Sequence, residues 1–194
     1  MRSMLAAVLL VLAAPTTALA QAQTPADEDQ AEERQAITLD DLFTDLKRQT
    51  SAAGANRIAR QIWAKWNLSG SASIDLLMNW AGEAIRKKEY VVAEDLLTQV
   101  TVLAPEYSEA WNRRATMYYL KSDFGHSIAD IERTLQLEPR HFGALSGLAV
   151  ILQRTGLEQK ALATWYRVLA IYPANESAQE AVIELEEKLS GQSL

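Results

Sequence analysis

An all-α solenoid of four helix pairs followed by one capping helix is the fold that the sequence predicts. Three of its five prolines, Pro105, Pro139 and Pro173, stand 34 residues apart. A fixed spacing of this size is typical of solenoid repeats. Large apolar and small residues recur at the same positions of each 34-residue unit, as two packed helices per unit require. With 194 residues, 48% of them hydrophobic, the chain can bury a core of that size.

The first twenty residues are a predicted secretory signal peptide. Arg2 supplies a positive charge, residues 4–14 are apolar, and Ala18-Leu19-Ala20 forms an A-x-A cleavage site. The apolar run rises only about 16 Å as a helix, which is too short to span a membrane. We expect cleavage before Gln21, with an uncleaved anchor or a buried N-terminal helix as alternatives. An exported chain without cysteine fits the periplasm of a Gram-negative bacterium.

Residues 21–37 are predicted to form a disordered acidic leader. Alanine, glutamine and acidic residues dominate this segment, and its large aliphatic residue, Ile37, comes only at the end. Such a segment buries too little apolar surface to offset the entropy of ordering it. We therefore expect a solvated tether.

Four predicted repeats follow, near residues 40–73, 74–107, 108–141 and 142–175. Position 4 holds a large apolar residue in every unit: Phe43, Leu77, Trp111 and Leu145. Glycine at position 15, which is Gly54 in the first unit and Gly156 in the fourth, is predicted to end the first helix in a left-handed conformation. Residues 123–125 are predicted to form the same turn in the third unit. Residues 176–189 are predicted to form an amphipathic capping helix, and residues 190–194 a frayed tail.

This pattern resembles the tetratricopeptide repeat (TPR) family over residues 40–175. The third unit carries the best match, through Trp111, Ala115, Tyr118, Asp123, Phe124, Ile128 and Pro139. The resemblance implies a right-handed superhelix in which the first helix of each pair lines a concave, partner-binding groove. Lys47 at the small position, Ser71 at the proline position and Arg114 at position 7 depart from the family pattern.

No catalytic, cofactor-binding or metal-binding set is predicted. The absence of cysteine excludes thiol catalysis, and His126 and His141 lack metal-ligand spacing and are interpreted as surface residues. Gly143 and Gly147 do not form a nucleophile elbow with Ser146, and are predicted to permit close helix packing or a mobile first turn. A net charge of −6 argues against a nucleic-acid partner.

All five tryptophans are predicted to belong to the core. By repeat register Trp63, Trp80, Trp111 and Trp165 occupy core positions. Trp66 is expected to pack against the following unit.

The candidate partner-binding residues lie at the inward positions of the first helices: Arg48, Asn79, Ile85, Arg86, Asn112, Arg113, Thr116, Tyr119 and Arg154. Guanidinium groups pair with carboxylates, and asparagine can hold an extended peptide backbone. An acidic peptide or a C-terminal carboxylate is therefore the expected ligand. The alternative is that the arginines only pair with neighbouring acids, as Arg113 would with Glu109.

These observations favour a non-enzymatic periplasmic scaffold or adaptor that binds a protein or peptide in a concave groove, with no membrane span after cleavage. Exported members of the resembled family are often linked to cell-envelope assembly or integrity, which is the process that the resemblance implies. Two alternatives stay open. One is a structural subunit of an envelope complex, bound through the convex face or the end helix, and the other is an enzyme with an unrecognised site. The sequence leaves the oligomeric state open.

Overall fold

The computed structural model describes residues 37–191, and this part of the chain contains only helices and their connections. The predicted signal peptide, the leader up to residue 36 and residues 192–194 lie outside it. The helices are α1 (Leu39–Arg48), α2 (Ala52–Trp66), α3 (Ala72–Arg86), α4 (Tyr90–Leu103), α5 (Ser108–Leu120), α6 (Phe124–Leu137), α7 (Phe142–Arg154), α8 (Glu158–Ile171) and α9 (Glu176–Gly191). The predicted all-α solenoid of four helix pairs and a capping helix is confirmed.

The pairs α3–α4, α5–α6 and α7–α8 repeat one geometry. Each second helix ends two residues before a repeat proline, which cannot continue the helix. A residue with positive φ follows each first helix: Lys88 (62°), Ser122 (61°) and Gly156 (74°). The prediction was right at Gly156, but the turn of the third unit lies at Ser122, ahead of residues 123–125. Asp123 instead caps α6, because its side chain accepts a hydrogen bond from the backbone N–H of His126 at 3.3 Å.

The first pair does not follow this register. Gly54 was predicted to end the first helix, but α1 ends at Arg48 and Gly54 lies inside α2. The reason is local capping. The Ser51 hydroxyl accepts a hydrogen bond from the Gly54 backbone N–H at 3.2 Å and starts α2 early. A capping box between Thr38 and Asp41 starts α1.

The α1–α2 hairpin packs against α7, α8 and α9 and does not stack on α3. Its buried residues share one hydrophobic cluster with residues of α7, α8 and α9, among them Leu46, Ile62, Phe142, Trp165 and Val182. The buried residues of α3, α4 and the facing side of α5 form a separate cluster. Burying one such side chain stabilises the fold by roughly 1.5–3 kcal/mol. The hairpin is therefore part of the folded core next to α7.

This placement corrects two of the tryptophan predictions. Trp66 contacts His141 and Phe142 at the start of α7 instead of packing against the following unit. Trp80, predicted to be core, is 51% exposed, since no described helix covers that side of α3. Trp165 is buried, and Trp63 and Trp111 are half-buried.

Helix α9 closes the array on its C-terminal side. Ala178, Val182 and Leu185 are buried on one face of it, and five of its exposed residues are glutamates: Glu176, Glu180, Glu184, Glu186 and Glu187. Within residues 37–191, no helix is long and apolar enough to cross a membrane.

Candidate interaction groove

A pocket of about 280 Å³ opens between α5 and α7, on the side where the first helices of the pairs lie. Helix α7 forms one wall, where the small residues Gly143, Ala144, Ser146 and Gly147 make room and Val150 and Ile151 continue the lining. The other lining residues are Asn112, Ala115, Thr116 and Tyr119 of α5 and Ser127 and Ile131 of α6. The lining is mainly small and aliphatic, with a few polar groups, which is typical of a site that takes an apolar side chain.

An arginine and a tyrosine stand together beside this pocket. The Arg154 guanidinium donates a hydrogen bond to the Tyr119 hydroxyl at 3.1 Å and lies 5.4 Å from the centre of the Tyr119 ring. It also lies 5.8 Å from the Phe124 ring. Arg154 is exposed, and in the described part of the chain its guanidinium meets Tyr119 and Phe124 rather than a carboxylate. A cation held this way is positioned to meet an acidic group of a ligand.

Helix α2 crosses the array at the beginnings of α5 and α7. Near its start, Asn56 accepts a hydrogen bond from the Tyr172 hydroxyl, at the end of α8. Further along, the Trp63 ring lies against Gly143, so closely that a Cβ there would be 2.7 Å from ring atoms. Beyond its last residue, Asn67 accepts a hydrogen bond from Arg113 of α5. The groove is therefore covered at this end and open towards Tyr119 and Arg154.

A buried polar network lies beneath α2. His141 is fully buried, which corrects its interpretation as a surface residue. Its Nδ1 accepts a hydrogen bond from the Ala144 backbone N–H at 3.1 Å, which caps α7 and leaves the proton on Nε2. Nε2 donates to Glu109 at 3.3 Å, and the Asn112 amide donates to the same carboxylate at 2.9 Å. Burial is tolerated because each of these polar groups has a partner.

The nine candidate residues separate into four places. Thr116, Tyr119 and Arg154 surround the open pocket. Asn112 lines the pocket but donates its amide hydrogen bond to Glu109, and Arg113 is engaged internally: it donates to the Met78 carbonyl at 3.1 Å and to Glu109 at 3.2 Å. The expected pairing of Arg113 with Glu109 is therefore present. Asn79 and Arg86 are exposed on α3, with Ile85 half-buried there, and Arg86 forms an ion pair with Glu83. Arg48 lies on α1, next to Arg57 and Gln61, apart from the pocket.

Tyr107 lies at the start of α5, close to Glu109 and Arg113. Its hydroxyl is buried and has no hydrogen-bond partner among the described residues. Burial, with the nearby negative charge of Glu109, raises the pKa of Tyr107 to about 12.

Sequence reasoning missed the pocket and the buried His141–Glu109 pair. Gly143 and Gly147 were the available signal for the pocket, since two glycines on one helix face leave room beside it. The prediction of close packing is correct at Gly143. Within residues 37–191, no group of three His, Asp or Glu residues is arranged to hold a metal ion.

Comparison with known proteins identifies one curated relative. A TPR repeat-containing protein of Rhizobium etli is 50% identical to this chain over 153 residues, which span 79% of this chain and 75% of that protein. No protein-family model matches the chain.

Several solved structures share the fold. The first TPR of Spaghetti (RPAP3), bound to the HSP90 peptide SRMEEVD, aligns with a TM-score of 0.57 at 19% identity, covering 60% of this chain and 93% of its own. The Sgt2 TPR domain from Aspergillus fumigatus aligns with a TM-score of 0.57 at 20% identity, covering 63% and 83%. MamA AMB-1 covers 78% of this chain and 86% of its own, with a TM-score of 0.51 at 14% identity.

Proposed function

The chain belongs to the tetratricopeptide repeat family, and we propose that it is a non-enzymatic interaction scaffold that binds a peptide segment of a partner protein in the open pocket between α5 and α7. The fold is that of protein–protein interaction domains. The observation that carries the proposal is the pocket itself, with its small and aliphatic lining and its flanking arginine. Apolar depressions with a few directed polar groups are the usual form of a ligand site.

The chemistry of the pocket suggests the chemistry of the ligand. A buried apolar side chain of the partner would fill the space beside Gly147 and Val150. An acidic residue next to it would pair with Arg154, which is exposed beside Tyr119. Arg113 is not free for this role, because Asn67, Met78 and Glu109 already accept its hydrogen bonds. One structural neighbour holds the acidic peptide SRMEEVD, so peptides of that composition are suitable first probes.

The proposed location is the periplasm, and the proposed process is cell-envelope assembly or integrity. Support comes from the predicted signal peptide and from the absence of cysteine. N-terminal sequencing of the protein recovered from the periplasmic fraction is expected to begin at Gln21. Recovery with Met1 intact would overturn cleavage and favour an anchored chain.

Crosslinking in living cells tests the binding site. A photoreactive residue in place of Tyr119 is expected to capture a discrete partner, identified by mass spectrometry. Arg154→Glu, at the pocket, should abolish capture, and Thr116→Trp should do the same by filling the space. Arg48→Glu is the matched control, since it reverses the same charge away from the pocket. Equal capture with Arg154→Glu and Arg48→Glu would reject the pocket and favour the convex face or the end helix.

A further inference from the structure

Each of the helix pairs α5–α6 and α7–α8 packs one of its faces against the pair that precedes it in the chain. In the third unit, Ala110 and Met117 of α5 are fully buried in the cluster that they share with α3 and α4. Between them, Arg114 donates to the hydroxyls of Thr98 and Thr101 on α4, at 3.3 and 3.1 Å. The equivalent residues of α7 are Ala144, Leu148 and Ile151, and they pack in the same way against α5 and α6. These positions therefore define where one pair contacts the pair before it.

The corresponding face of the α3–α4 pair is exposed. One repeat earlier, the same positions are Leu76, Trp80 and Glu83, and Leu76 and Trp80 are 47% and 51% exposed. Val92 of α4 is 49% exposed and lines one shallow depression with Trp80, Glu83, Ala84, Lys87, Glu89 and Leu96. The end face is named here as Leu76, Trp80, Glu83, Lys87, Glu89, Val92 and Leu96. Among residues 37–191, no helix covers it, because α2 lies against α7 instead.

The two ends of the array differ in character. Repeat arrays stay soluble when their terminal units present a polar outer side. At the C-terminal end α9 does so, with Glu180, Glu184 and Glu187 exposed. The end face instead exposes a tryptophan, a leucine and a valine together. A contiguous exposed apolar patch with a polar rim marks a protein interaction site.

We propose that the end face is a self-association surface, on which the end face of a second copy packs across a two-fold axis. The charges at the end face favour a second copy of the chain as its occupant. The protein carries a net charge of −6, yet the charges balance at the end face, where Glu83 pairs with the neighbouring Arg86 and where Lys87 and Glu89 line the same depression. Two copies can therefore meet here without net repulsion between their end faces. A head-to-tail contact would instead bring the acidic α9 to the end face and would continue into a filament.

Sedimentation velocity of the protein recovered from cells tests this proposal. The protein and the control variant Val102→Glu are both expected to dimerise, since Val102 is 73% exposed on the same helix α4 but outside the end face. Trp80→Glu should weaken dimerisation at least about thirtyfold, as the loss of a central aromatic anchor does. Circular dichroism is expected to show unchanged helix content, and Leu76→Lys serves as the second variant if Trp80→Glu fails to fold. A monomer at all concentrations, or a dimer unchanged by either end-face variant, would overturn the proposal.

Crosslinking within the dimer tests the two-fold geometry. A photoreactive residue replaces Leu76, and copies labelled with ¹⁴N and ¹⁵N are mixed so that only links between copies are counted. Links to peptides from residues 72–103 of the other copy are expected. Links to residues 176–191 would reveal head-to-tail contact, and links to residues 39–66 would reveal exchange of the hairpin. Either result would overturn the two-fold contact.

Discussion

The indole ring of Trp66 lies parallel to the imidazole ring of His141, with centroids 4.0 Å apart and planes 7° apart. His141 also caps α7 and donates a hydrogen bond to Glu109 of α5. One stacked pair therefore joins three elements that are distant in sequence. The position of the α1–α2 hairpin depends on this contact and on the packing of Trp63 and Trp66 around Phe142.

Trp66→Ala is expected to lower the free energy of unfolding by about 3–5 kcal/mol, as removal of a buried tryptophan does. Urea denaturation followed by far-UV circular dichroism measures the change. Leu68→Ala is the control: Leu68 is exposed just past the end of α2, and the substitution should change stability by less than about 0.5 kcal/mol. A loss below about 1 kcal/mol for Trp66→Ala would show that the hairpin is not held by this stack.

The repeats were predictable because their signals are local. Proline spacing, alternating large and small positions and turn residues each act within one 34-residue unit. The position of the first pair was not predictable in this way. Periodicity shows that Ala55, Ala59, Ile62 and Trp66 share a buried face of α2, but it does not identify the surface that covers this face. Trp80 was misassigned for the same reason. The α1–α2 pair, which was expected to cover Trp80, lies against α7 instead.

The groove was predictable in outline and not in detail. Repeat register predicted that Thr116, Tyr119 and Arg154 face one groove, and the structure has Thr116 and Tyr119 lining the pocket with Arg154 hydrogen-bonded to Tyr119. It offered the pairing of Arg113 with Glu109 only as an alternative, and it did not reveal that Asn67 and the Met78 carbonyl would also accept hydrogen bonds from Arg113. The burial of His141 depends on Glu109, 32 residues earlier in the chain. Pairings over such separations leave no periodic signal.

The two glycines of α7 are expected to respond oppositely to alanine. At Gly143 an added Cβ would lie 2.7 Å from the Trp63 ring, so Gly143→Ala should cost about 1–3 kcal/mol by overpacking. At Gly147 the nearest atom would be Ile131 Cδ1 at 3.6 Å, an ordinary contact. Gly147→Ala should therefore stabilise the helix by up to about 1 kcal/mol. Thermal unfolding of both variants measures the difference, and equal shifts would contradict the close approach of Trp63 to α7.

Arg114 and Asp130 form a two-pronged ion pair, with Nε–Oδ2 and Nη2–Oδ1 distances of 2.7 and 2.8 Å. The hydrogen bonds that Arg114 donates to the Asp130 carboxylate raise the pKa of Arg114. Arg114→Leu should cost about 3–5 kcal/mol, because it leaves the buried Asp130 carboxylate unpaired. Combining it with Asp130→Leu should recover much of this loss, since an apolar pair needs no charge partner. Urea unfolding of both single variants and the double variant tests this, and additive losses would show that the two residues are not coupled.

The raised pKa of Tyr107 predicts that the folded protein loses stability at high pH. Its pKa in the folded protein, about 12, lies above the ordinary value of 10.0, so the unfolded chain releases this proton at lower pH. The contribution of protonated Tyr107 to the free energy of unfolding is therefore complete below about pH 10 and falls as the pH rises towards 12.

Because the Tyr107 hydroxyl has no partner among the described residues, Tyr107→Phe should leave the stability at pH 7 unchanged or slightly higher. At pH 11 the variant should be clearly more stable than the unaltered protein, as measured by guanidinium unfolding at both pH values. The same difference at pH 7 and pH 11 would show that the buried hydroxyl does not resist ionisation.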